Sequence, residues 1–178
     1  MRIISGTYKG KQLKAPVDLP VRPTTDYAKS GLFNILNNRY RFPLLKVLDL
    51  YAGTGSLSYE FFSRGSQNVT AIDNDSGCIR FIRQTLELLK APTSVSAVLS
   101  EVNSYLERTN SKYDLIIADP PFAITPAEVL VNIIFERELL SEKGVFILEH
   151  NSKDIYDALP HFSEKRKYGN ITFSFFTN

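Results

Sequence analysis

From Lys46 onward, short apolar runs alternate with stretches whose apolar residues recur at helical spacing. The runs predict strands at Lys46–Leu50, Asn68–Asp73, 94–99, Tyr113–Ala118 and 144–149. Tyr113-Asp114-Leu115-Ile116-Ile117-Ala118 shows why: a short, nearly continuous apolar segment reads as a strand buried on both faces of a parallel sheet. Between them the spacing predicts helices over 56–64, 75–90, 101–109, 126–137 and 152–158. This alternation predicts an α/β fold, a parallel sheet covered on both faces. The end breaks the pattern. Phe162–Tyr168 and Ile171–Phe176 flank Gly169-Asn170, a hairpin signal that turns the last strand antiparallel.

The first 45 residues differ. Arg2 to Ile4 and Gln12 to Lys14 are short strand candidates around Gly6 and Gly10, a hairpin or an extended arm. Pro16, Pro20 and Pro23 make the next stretch a loop. Thr24 or Thr25 caps a helix whose apolar face holds Leu32, Phe33, Ile35 and Leu36. Gly31 weakens that helix by about 1 kcal/mol relative to alanine, and Pro43 ends the segment. The organisation expected is a 1–45 extension followed by a 46–178 domain.

Composition narrows the class. The 178 residues suffice for one domain with a sizeable core. No apolar run approaches the ~20 residues of a membrane span. Met1 to Gly6 lacks the apolar stretch of a signal peptide, so a cytoplasmic protein with no membrane partner is expected. Cys78 is the single cysteine, which excludes an internal disulfide, and a small residue packed on a helix is its simplest role. His150 and His161 are not spaced as a metal pair, so no zinc is expected.

Charge is unevenly spread. Residues 1–46 hold nine basic side chains against two acidic ones, a net +7, and the remainder is net −5. Such a split points the N-terminal quarter at a polyanion, and Tyr8, Tyr27 and Tyr40 interleave with the charges as stacking surfaces for bases. A solvated surface of incidental sign is the alternative.

Two constellations carry chemistry. The first is Asp119-Pro120-Pro121-Phe122, directly after the predicted strand Tyr113–Ala118. In an α/β sheet, ligands bind at the carboxyl ends of strands. Two prolines fix φ and remove two donors, which leaves the carbonyls free to face a substrate. Asp119 and the Pro120 carbonyl can accept the two hydrogens of an exocyclic amino group, and Phe122 can stack on the ring that bears it. The second runs from Val47 to Ser56, a strand entering the turn Tyr51-Ala52-Gly53-Thr54-Gly55 that opens a helix. Asp73 closes the next strand 20 residues after Gly53, where a carboxylate accepts from ribose hydroxyls. Together these predict an adenosine-containing cofactor. NAD nearly fits the glycines, but Ser58 stands at the third Gly/Ala position. Asp49 inside the turn repels a pyrophosphate and suits a cation, which favours S-adenosylmethionine. Glu101 and the Val102 amide, just past the third strand, are placed to meet an adenine; a glutamate that merely opens a helix is an equal reading.

On these motifs the chain resembles the bacterial RsmD family, which methylates the N2 amino group of a guanine in small-subunit ribosomal RNA. The resemblance covers nearly the whole length. It is most specific in Arg2-Ile3-Ile4-Ser5-Gly6, Tyr8-Lys9-Gly10, Arg22-Pro23-Thr24-Thr25-Asp26, Leu32 to Leu36, Leu48 to Gly55, Ser63-Arg64-Gly65 and Asp119 to Phe122. It implies a Rossmann-like class I S-adenosylmethionine-dependent methyltransferase fold, a seven-stranded mostly parallel sheet with an antiparallel C-terminal hairpin strand. It implies guanine 966 of 16S rRNA as target and the small ribosomal subunit or its assembly intermediate as partner, for a monomeric enzyme. The site expected is catalytic at Asp119, Pro120, Pro121 and Phe122. The cofactor would be held by Asp49, Tyr51, Gly53, Gly55, Asp73, Asn74, Glu101 and Val102, and RNA by Lys9, Lys11, Arg22, Thr24 and Lys29. The chain departs from the family's usual residues at Tyr27, Gly31, Ser58 to Phe62, Thr85 and Glu101. An adenine-N6 DNA methyltransferase presents the same amino-group geometry, though such enzymes usually carry an added recognition segment. A protein-glutamine methyltransferase typically has asparagine at the place of Asp119. A non-catalytic RNA-binding assembly factor on the same fold is the rival from another class.

Overall fold

Residues 1–16, 19, 25–90, 93–121 and 126–178 are described by a computed structural model. The apolar runs form one seven-stranded sheet of order β3-β2-β1-β4-β5-β7-β6. The strands are β1 (Lys46–Leu50), β2 (Asn68–Asp73), β3 (Val95–Leu99), β4 (Tyr113–Ala118), β5 (Leu140–Asn151), β6 (Phe162–Tyr168) and β7 (Ile171–Phe176). The first five are parallel, and β7 and β6 close the edge antiparallel. Tyr168 pairs with Ile171 across Gly169-Asn170, and the positive φ of Gly169 gives the turn the II′ pattern that matches strand twist. The chain winds outward from β1 through β2 to β3, then returns to β4 on the other side of β1. The β1/β4 boundary is therefore the switch point where open α/β sheets bind ligands.

Helices α1 (Asp26–Arg39), α2 (Ser56–Ser63) and α3 (Ser76–Leu88) bury their apolar residues on one face of the sheet. Helices α4 (Val102–Arg108) and α5 (Ala127–Glu136) cover the other. Alternation along the strands feeds both: Val47, Ile117 and Ile147 join the first layer, Leu48, Ile116 and Leu148 the second. Thr25 rather than Thr24 is the cap of α1, its hydroxyl accepting from the Ala28 amide at 3.2 Å. Gly31 is required by packing, because a Cβ there would lie 2.1 Å from the Tyr168 ring.

The N-terminal hairpin exists, with Arg2 bridging Gln12 and the Ile3 amide donating to the Lys11 carbonyl. Ile3 and Leu13 are buried in the same core as α1 and the sheet, so residues 1–45 share their hydrophobic core with the rest of the chain. Two expectations are corrected. Residues 152–158 are turns, not a helix: the Asn151 carbonyl and side chain take the amides of Asp154 and Lys153, and the segment is too short to outweigh that local bonding. Strand β5 runs far beyond 144–149, since Tyr113 already pairs with Leu140. Gly144 permits this, a Cβ there falling 2.9 Å from the Tyr113 carbonyl oxygen.

Candidate active site

The register brings the strand ends to one level. Leu50 pairs with Ile72 and Ala118, Ala118 with Leu148, and Asp73 with Leu99. The residues that follow these positions form the site.

On the β1/β2 side, the turn after β1 has positive φ at Tyr51, Gly53 and Gly55. It is pinned by the Ala52 amide on the Ile72 carbonyl and the Gly55 amide on the Ala52 carbonyl. Gly55 also needs its missing side chain, as a Cβ would sit 2.9 Å from the Tyr59 ring. Asp73 accepts the Gly53 amide on one carboxylate oxygen at 2.7 Å and the Asp75 amide on the other at 2.8 Å. Both oxygens are thereby oriented, and each keeps acceptor capacity, which fits the paired hydroxyls of a ribose. The Asn74 side chain donates to Glu101 at 2.8 Å and joins the ends of β2 and β3. Glu101 is exposed at the N-cap of α4, whereas Val102 is buried behind it.

Asp49 is buried, its carboxylate accepting from the Ser58 hydroxyl. Desolvation is the main cause that pushes its pKa up to about 7; the Ser58 bonds oppose the shift, and the charges of Asp119 and Asp73 add to it. A buried carboxylate held between two others is a place for a cation. The donor set therefore fits S-adenosylmethionine: Asp73 for the ribose, the Gly53–Gly55 turn for close backbone approach, and Asp49 for the positive end.

Across the switch point, the Asp119 amide reaches the Leu50 carbonyl at 3.4 Å and continues the β4–β1 ladder one residue further. Asp119 is half-buried, and desolvation raises its pKa to about 7. Pro120 and Pro121 border a small cleft of about 40 Å³, also lined by Ala127, Leu148, Glu149, His150, Asp154 and Tyr156. His150 is fixed as one tautomer. Its Nδ1 faces the Asn151 carbonyl at 2.9 Å and so carries the proton, which leaves Nε2 to accept from the Ser174 hydroxyl at 2.8 Å. Burial lowers its pKa, so the ring is a neutral wall, with Tyr156 packed edge-on against it. Phe122 lies outside the described residues.

The expected RNA contacts divide. Lys9, Lys11 and Lys14 are exposed on the N-terminal hairpin, and Lys11 lies over the Tyr8 ring. The hairpin tip docks on the far end of α2, with the Thr7 amide on the Ser63 carbonyl and the Tyr8 hydroxyl on the Leu89 carbonyl. That is roughly 10 Å along the helix axis from Ser56, so Lys9 and Lys11 stand apart from the glycine turn. Lys29 is corrected: it is buried, and its ammonium donates to the Arg2 carbonyl and Ser56 hydroxyl and pairs with Glu60 at 3.7 Å. It cannot offer that charge to a phosphate. Arg22 and Thr24 lie outside the described residues; nearby Leu19 packs on the N-terminal turn of α3 at Gly77.

Sequence reasoning missed Glu60. This fully buried carboxylate accepts the Ile4 and Ser5 amides at 2.8 and 3.0 Å and the Arg64 guanidinium at 2.9 Å, besides pairing with Lys29. The visible signal was a charged residue on an otherwise apolar helix face. Ser58 as the partner of Asp49 and Glu149 were missed as well; the first becomes apparent only when α2 seats on β1, the second only through the β4/β5 register.

The fold and the sequence both find relatives. A Thermus thermophilus hypothetical protein, TTHA0928, superimposes over 100% of this chain and 99% of its own, with TM-score 0.84 and 25% identity. The Thermus thermophilus 16S rRNA N2 G1207 methyltransferase RsmC, in complex with AdoMet and guanosine, shares the fold over 90% of this chain and 45% of its own, with TM-score 0.70 and 24% identity. The architecture is thus the Rossmann-like class I methyltransferase fold. Ribosomal RNA small subunit methyltransferase D of Escherichia coli strain K12 is 29% identical over 163 residues, 90% of this chain and 78% of its own length. A family model described as conserved hypothetical protein 95 matches residues 1–177, and with that span and these motifs the chain belongs to this family, the RsmD family.

Proposed function

We propose that this protein transfers a methyl group from S-adenosylmethionine to the exocyclic N2 amino group of a guanine in small-subunit ribosomal RNA, at guanine 966 of 16S rRNA, in the cytoplasm. One observation carries the reading: Asp119 and the Pro120 carbonyl stand at the carboxyl end of β4, across the β1/β4 switch point from buried Asp49. The similarity to enzymes named small subunit methyltransferase D supports an rRNA substrate. The exposed charge at Lys9, Lys11 and Lys14 supports an RNA-contacting role for the 1–45 extension on a 46–178 catalytic unit.

When bound, S-adenosylmethionine supplies an electrophilic methyl on a sulfonium, which keeps the bonding pair and becomes a neutral thioether. The guanine N2 lone pair, delocalised into its ring, forms the new bond. Asp119 and the Pro120 carbonyl accept the two N2 hydrogens, orient that lone pair and stabilise the positive charge that develops on nitrogen. The ionised Asp119 carboxylate takes the proton that N2 releases. Asp49 would face the cationic end of the donor, and Asp73 would hold its ribose. The guanine must leave its stack to reach the site, which an unpaired loop makes less costly.

The test is methyl transfer from labelled S-adenosylmethionine to small ribosomal subunits of a strain that lacks the family enzyme, followed by digestion to nucleosides. Label in N2-methylguanosine at one site is expected. Label in N6-methyladenosine, or cofactor binding without transfer to any RNA, would overturn the reading.

A further inference from the structure

The β4/β5 register places a second carboxylate beside the catalytic one. Ile117 pairs with Ile147 and Ala118 with Leu148, so the next positions, Asp119 and Glu149, stand side by side at the mouth of the site. Strand alternation turns both toward the α1–α3 face: Ile117, Ile147 and Phe173, the β7 partner of Glu149, all lie in that layer. Adjacent strands are ~4.8 Å apart, close enough for the two side chains to converge on one ring edge. Glu149 is buried and borders the cleft beside Pro120 and Pro121.

We propose that Glu149 is the residue that reads guanine, its carboxylate accepting the N1–H while Asp119 and the Pro120 carbonyl hold the neighbouring N2 amino group. The inference rests on the methyl-transfer reading above. Its chemistry is a donor–acceptor code. An amino group beside a ring N–H is found on guanine, whereas the ring nitrogen beside the amino group of adenine is a bare acceptor. An ionised carboxylate only accepts, so it pairs with guanine N1–H and repels the adenine lone pair. The two bases could otherwise present their amino groups to Asp119 in the same geometry, and the diproline turn alone does not separate them. A carboxamide at position 149 relaxes the rule, because its NH₂ can donate to adenine N1 while its oxygen offers guanine N1–H only a weaker, uncharged acceptor.

The experiment uses the full chain and two substrates: small subunits with the natural target guanine, and subunits carrying adenine at that nucleotide. Wild type, Glu149→Gln and Glu149→Asp are compared by kcat/KM and by the labelled nucleoside, with S-adenosylmethionine affinity measured for each. Losing a charge-assisted hydrogen bond predicts a fall of about 10- to 100-fold on guanine for Glu149→Gln, label appearing in N6-methyladenosine, and an intact cofactor affinity. Glu149→Asp keeps the charge and retains the guanine preference, with more guanine activity than Glu149→Gln. An unchanged guanine-to-adenine ratio in Glu149→Gln, or an equal loss in both variants, would overturn the assignment, since a merely structural carboxylate lowers both rates together. Wild type that labels adenine instead of guanine overturns the methyl-transfer reading itself, which the wild-type arm shows alone.

Discussion

Replacing Asp49 with asparagine should make the protein more stable and a poorer cofactor binder at once. Asp49 is 2% exposed, and its pKa rises to about 7 chiefly because burial disfavours the charged form. In the unfolded chain it titrates near its ordinary 3.8. Below that pH both states hold the proton and the residue adds no pH dependence. Between the two values only the folded state holds it, so stability contributed by the neutral form is lost as pH rises through about 7. Above that, the ionised carboxylate is buried at a cost. The gap between 3.8 and about 7, at 1.36 kcal/mol per pH unit, sets an upper bound of about 4 kcal/mol. Asparagine is nearly isosteric and its oxygen can still accept from Ser58. Urea unfolding of the ligand-free protein should therefore show Asp49→Asn gaining on wild type from pH 5 to pH 8, by about 1–4 kcal/mol at the upper end. The same variant should bind S-adenosylmethionine more weakly, with a smaller loss for S-adenosylhomocysteine, whose sulfur is uncharged. A variant less stable than wild type at pH 8, or a difference that ignores pH, would refute the argument that desolvation governs this carboxylate.

Asp119→Ala should keep its affinity for S-adenosylmethionine in calorimetry yet lose turnover by roughly 10²- to 10³-fold, the scale of a lost preorganised group. For wild type, single-turnover transfer should rise with pH through about 7 and then level off, because only the ionised Asp119 carboxylate can take the N2 proton; a rate that falls over that range would reverse its role. Glu60→Ala should destabilise the fold by about 3–5 kcal/mol in urea, since it leaves Lys29 buried without its partner. Gly6→Ala should loosen the N-terminal hairpin and expose it to limited proteolysis, because a Cβ there would lie 1.8 Å from the Ser63 carbonyl oxygen.

The central strands were legible because they are largely buried and read as apolar runs bounded by turns, as β1, β2 and β4 do; the exposed edge strand β6 and its partner β7 were legible from the hairpin signal at Gly169-Asn170. The turn after β1 and its tie to Asp73 were legible because glycines at positive φ and a carboxylate at the end of β2 leave a fixed spacing in the chain. The helix expected over 152–158 failed where the first amides found other partners: Ser152 the Asn170 carbonyl, Lys153 the Asn151 side chain and Asp154 the Asn151 carbonyl. Glu149 was hidden for a different reason. Its place beside Asp119 depends on the β4/β5 register across some thirty intervening residues, and no local pattern encodes that distance.

The N-terminal charge shows where composition misleads. Counting residues 1–46 gives a net +7, as if the segment were one electropositive surface. The fold uses part of that charge internally. Lys29 is sealed against Glu60 and draws the Arg2 carbonyl inward. Arg2 itself pairs with Asp26, and Arg39 pairs with Glu164 on the edge strand β6. What stays exposed on the described hairpin is Lys9 and Lys11 at its tip, beside the far end of α2, and Lys14 at its open end, where Met1 meets Thr54 of the glycine turn. RNA that reaches both places must run along the α2 side of the molecule. Lys9 and Lys11 should then set affinity for the particle and not the chemical step. Replacing both with alanine should raise KM and flatten the salt dependence of binding by up to about two phosphate contacts, with kcat unchanged. A fall in kcat at saturating substrate would mean instead that the hairpin acts at the catalytic centre, in conflict with where Tyr8 and Ser63 anchor it.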